Sequence, residues 1–180
     1  IKNSKINANC FNILFLLLNM QNLKTVVVQF KNENKLPILI TTVFFFTFFY
    51  VSFFHHQTFT ESDGIFYYLM GEWLINGNVE YIGIHGAPIG GPLLHASFGN
   101  LLSDPFIAGK IISLISCTGI VFTSFFITRN LFSKKVALVT QLFFAVNPKI
   151  AHLSILVLNE AAPLFFIFIS LYYATKKQKS

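Results

Sequence analysis

The chain has 180 residues, of which 54% are hydrophobic and only 11% charged. A soluble domain carries about 25% charged residues, so the composition excludes an ordinary globular protein, a disordered tail or a collagen-like fibre. It points to an all-α, polytopic integral membrane protein whose partner is the lipid bilayer. The 13 Lys and Arg outweigh the 7 Asp and Glu by six charges, but they cluster beside apolar runs, which fits membrane topology and argues for no nucleic-acid partner. Two cysteines, Cys10 and Cys117, make no disulfide framework. With no C-x-x-C or H-E-x-x-H spacing, no metal and no cofactor are expected.

In chain order, residues 1–35 read as a cytoplasmic N-terminal segment. The first methionine is Met20, and a start there is expected, with residues 1–19 not native to the chain. A signal-peptide core at 11–18 is the rival reading, but no small-residue cleavage site follows it. Residues 36–54 contain no charge and are long enough as a helix to cross a hydrocarbon core of about 30 Å. Residues 106–128 form a second expected crossing, broken only by Lys110. Residues 136–153 form a third, in which Pro148 predicts a kink or the start of a loop. Residues 161–175 form a fourth, short enough to need 155–158 to complete it.

About four transmembrane helices therefore make up 36–175, and 176–180 form a basic cytoplasmic end. Lys24, Lys31 and Lys35, then Arg129, Lys134 and Lys135, then Lys176, Lys177 and Lys179 all fall on one side if the four spans alternate. The positive-inside rule makes that side cytoplasmic, and the protein a multi-pass protein of the cell membrane. Six of the seven acids then lie outside. The stretch 55–105 becomes a long outer loop, rich in turns, since it holds eight of the ten glycines. Residues 63–76 place Phe66, Leu69, Met70, Trp73 and Leu74 at helical spacing, which predicts an amphipathic interfacial helix. A second interfacial helix is expected over 91–102.

Chemistry is sought among the acids. Glu61 and Asp63 stand at the start of the first interfacial helix, where Ser62 can serve as N-cap. An ionised Asp63 is favoured there by the helix dipole and can act as a general base; it can equally be a first-turn acid that only stabilises the helix. Glu160 lies with Asn159 between two apolar runs, as a functional acid or as a loop acid in water. Lys110 can hold a phosphate as a point charge or snorkel to lipid headgroups, as Lys149 does on the same reasoning. The five histidines carry no recognisable spacing.

The order of these features resembles a known family. D-x-x-x-Y…L…G, then a G-P-L helix, D-P-F-x-x-x-K-x-x-S, the basic turn R-N-L-F-S-K-K-x-A-L, A-x-N-P and L-x-x-E follow one another across the crossings. The pattern is similar to the N-terminal part of GT-C membrane glycosyltransferases, in the branch of protein O-mannosyltransferases and the lipid A aminoarabinose transferase. The resemblance implies transfer of a sugar, such as mannose, from a polyprenyl-phosphate donor to a protein or lipid acceptor, with inversion, by an N-terminal fragment of such an enzyme. It implies catalytic roles for Asp63 and Glu160 and substrate contacts for Lys110, Glu61 and Tyr67. The family's acidic pair is incomplete here, because Gly64 follows Asp63. The alternatives are a non-catalytic four-helix membrane scaffold and a transporter fragment.

Overall fold

A computed structural model describes residues 34–55, 62–78 and 89–177. The chain divides into a unit of residues 1–38 and a unit of 39–180. Of the first, only 34–38 are described, and they begin the first helix. The regular elements of the described residues are all helical: α1 (Lys35–Tyr50), a π-helical turn (Val51–His55), α2 (Ser62–Ile75), α3 (Gly90–Leu102), α4 (Pro105–Leu131), α5 (Lys134–Ala145), α6 (Pro148–Ile155) and α7 (Ala161–Lys177).

The helix starts are written into the local sequence. Asp104 caps α4: its Oδ1 accepts from the backbone N–H of Phe106 at 2.8 Å and of Ile107 at 3.3 Å, and Pro105 supplies the first helical residue. An N-cap acid followed by proline satisfies exposed donors and presets φ together. Asn147 and Pro148 repeat the device at α6, with Asn147 Oδ1 accepting from Lys149 N at 2.9 Å. Ser133 caps α5 through Val136 N at 3.4 Å. Between α3 and α4 the chain turns on Ser103, whose φ of 58° is left-handed.

Two helical stretches, Lys35–His55 and Pro105–Leu131, are long and apolar enough to cross a membrane, and the pair α5 and α6 makes a third if it is one span bent by 54°. The bend falls at Asn147 and Pro148, as expected from the proline. α7, at the place of the fourth expected crossing, is a shorter apolar helix and is not among these stretches. Residues 156–160 are not helical, so 155–158 do not lengthen α7. Pro163 explains the break, since its ring would collide with the carbonyl of Asn159 in any helix continued upstream. Instead Leu156, Val157 and Leu158 form a buried strap.

α4 is the helix on which the others pack. Its ring contact Phe126–Tyr172 at 6.2 Å and the bond Asn130 Nδ2 to Thr175 Oγ1 at 3.3 Å show that α7 runs parallel to it. The strap therefore lies at the Pro105 end of α4, while Arg129 and Lys176 lie at the other. Phe44, Cys117, Ile120, Val121, Ile150, Leu153 and Leu158 close the core between α1, α4, α6 and the strap. α1 is joined to α5 by Gln141 Nε2 to Thr41 Oγ1 at 3.0 Å and heads toward the beginning of α4, where Ser52 meets Lys110. The two expected interfacial helices form within a residue of their sequence limits. They pack on each other and on α4, and Met70 of α2 is fully buried.

Candidate functional site

At the Pro105 end of α4, two segments distant in sequence meet at Tyr67. Asp63 is exposed in the first turn of α2, and Tyr67 follows one turn later on the same face. The strap brings Asn159 and Glu160 to it. The Asn159 side chain hydrogen-bonds the Tyr67 hydroxyl, and the charges of Glu160 and Asp63 both act on that phenol. Burial first, then Glu160, then Asp63 raise the Tyr67 pKa above its usual 10, against the lowering effect of the Asn159 bond. Tyr67 is therefore a neutral phenol at pH 7, able to donate and to accept.

Asn159 is 8% exposed, and its amide is set by a glycine. A methyl group on Gly91, at the start of α3, would occupy the same space as the Asn159 amide. Gly91→Ala should evict Asn159 while α3 persists, because the atom displaced is the end of a flexible side chain. The expected result is an unchanged helical spectrum with a higher Tyr67 pKa, since the bond that lowers it is lost; an unchanged titration would mean that Asn159 does not hold the phenol.

The other expected residues divide. Lys110 is 4% exposed; its Nζ donates to the backbone carbonyl of Ser52 at 2.6 Å and lies 4.7 Å from the centre of the Phe106 ring and 5.6 Å from that of Phe53. The acceptor carbonyl belongs to the π turn, where the widened backbone departs from the α-helical ladder, as such turns often do at functional places. Phe106 also meets Tyr68 edge-on at 6.5 Å. Tyr68 donates to Glu72 one turn along, and burial, then Glu72, raise its pKa. Ser62 is the first residue of α2. Glu61 lies outside the described residues. Among the described residues, no three His, Cys, Asp or Glu side chains gather in a way that could hold a metal.

Sequence reasoning passed over His95, which is 1% exposed in the middle of α3, and gave Asn159 no role of its own. The sole signal for Asn159 was an amide beside an acid between two apolar runs. Away from the carboxylates, a groove of about 520 Å³ runs between α1 and α5, lined by Leu39, Val43, Phe44, Phe48, Leu142 and Val146. Its walls suit hydrocarbon rather than sugar. No family model, no curated protein and no solved structure matches the chain.

Proposed function

We propose that the chain belongs to a membrane glycosyltransferase that moves a sugar, such as mannose, from a polyprenyl-phosphate donor to a protein or lipid acceptor. One observation carries this reading: Asp63, Tyr67, Asn159 and Glu160 gather at one end of the helices, opposite the end that bears Arg129 and Lys176. In the orientation that goes with it, the helices make four crossings of the cell membrane, the N-terminus is cytoplasmic and the carboxylates face outward. Asp63 takes the proton of the acceptor hydroxyl as its oxygen attacks the anomeric carbon. The bond from that carbon to the donor's phosphate oxygen breaks, the pair of electrons leaves with the polyprenyl phosphate, and the anomeric centre inverts. Tyr67 and Glu160 hold sugar or acceptor hydroxyls beside the base, which is a positioning role.

The test is to express the complete reading frame that contains this chain and to supply its membranes with radiolabelled polyprenyl-phosphate mannose or with nucleotide-linked mannose. Label should pass to a protein or lipid fraction from the lipid-linked donor alone. Transfer from neither donor, with the chain correctly inserted, would leave the scaffold reading in its place.

A further inference from the structure

His95, the one titratable side chain of α3, is 1% exposed, and packing alone does not account for it. Its Cβ stands 3.2 Å from where a Cβ on Gly71 of α2 would be, and its Cε1 stands 3.3 Å from the corresponding point on Gly109 of α4. The imidazole thus fills a slot whose two walls carry no side chain. In that slot the ring N–H donates to the backbone carbonyl of Tyr67, while Nδ1 has no hydrogen-bond partner. A buried acceptor left unpaired costs free energy, and leucine would fill the same slot without it. What histidine supplies there is a ring donor at a fixed distance from its backbone.

We infer that His95 is the positioning residue of Tyr67: clamped between Gly71 and Gly109, it bonds the Tyr67 carbonyl and so sets where the phenol stands between Asp63 and Glu160. Burial holds the imidazole at a pKa of about 4, so it is neutral at pH 7, with its one proton on the nitrogen that faces Tyr67. His95 holds the backbone of α2 at Tyr67, and Asn159 holds its phenol. This inference deepens the proposed function, but it rests on that reading only for the use made of the phenol, and its test reads the phenol itself.

The experiment places 3-fluorotyrosine at position 67 of the full chain in lipid nanodiscs and follows its ¹⁹F shift from pH 7 to 12. In the parent protein burial and two carboxylates raise the midpoint. His95→Leu, which fills the slot but lacks the donor, should lower the midpoint by about half a pH unit, roughly a threefold change in ionisation constant. His95→Gln, whose amide N–H reaches the same carbonyl, should keep the parent midpoint. Equal midpoints for His95→Leu and the parent, or equal shifts for the Leu and Gln variants, would overturn the inference. Should His95→Leu not fold, Gly71→Ala takes its place: it pushes the His95 Cβ by a few tenths of an ångström and should shift the midpoint in the same direction, and no shift would overturn the inference. Loss or retention of sugar transfer does not enter these outcomes.

Discussion

Asp63→Asn is expected to remove transfer from a polyprenyl-phosphate sugar by a factor of about 10² to 10⁴, the range that a positioned general base contributes. The substitution keeps the size of the side chain and its place in the first turn of α2, and the dipole interaction that a first-turn acid gives its helix is about 0.3–1 kcal/mol at an exposed site. Asp63 is exposed, and no buried packing depends on it. Insertion, yield and helical content should therefore match the parent, and the fall should appear in the chemical step rather than in donor binding. Glu160→Gln provides the contrast. Glu160 acts on Tyr67 more strongly than Asp63 does, so its removal should lower the Tyr67 pKa further while leaving the base in place. A comparable rate in Asp63→Asn, or a full loss in Glu160→Gln alone, would move the base to Glu160. A comparable rate in both variants would remove the carboxylates from the chemistry.

The parts of this fold that could be read from sequence are those decided by neighbours along the chain. Asp104 with Pro105 and Asn147 with Pro148 satisfy helix donors within three residues, and the starts of α4 and α6 follow from them. The limits of α2 and α3 also came within a residue, because turn-forming glycines stand around them. The start of α7 at Ala161 is legible for a reason equally local, since Pro163 blocks helix upstream of it, whereas the run 155–158 looks as apolar as a crossing and yet does not lengthen the helix. The site was legible only in its charges. Asp63 and Glu160 stand out because acids are scarce in this chain, whereas Asn159 and His95 owe their places to Gly91, Gly71 and Gly109, and no spacing rule pairs a glycine on one helix with a side chain on another. The π turn left no mark either, since the phenylalanine-rich run that leads into it is uniform in composition.

Lys110→Met is expected to destabilise the protein by about 1–3 kcal/mol, the cost of leaving a buried acceptor unpaired. Methionine matches the length of the lysine stem and keeps its packing between Phe106 and Phe53, so the substitution isolates the ammonium. That group is nearly enclosed by the protein, in a helix apolar enough to cross a membrane, where a charge is costly unless it is paired or solvated. Its 2.6 Å bond to the Ser52 carbonyl and the faces of two phenyl rings supply that compensation. In return the ammonium ties the end of α1 to the first turns of α4, next to the helices that carry Asp63 and Tyr67. Thermal unfolding in detergent should fall for Lys110→Met and not for Asp63→Asn. Amide exchange should rise in residues 51–55 before it rises elsewhere, because the freed carbonyl belongs to the π turn. A Lys110→Met protein with parental stability and exchange, but a weakened affinity for the lipid-linked donor, would instead make Lys110 the phosphate-holding cation that the family resemblance implies.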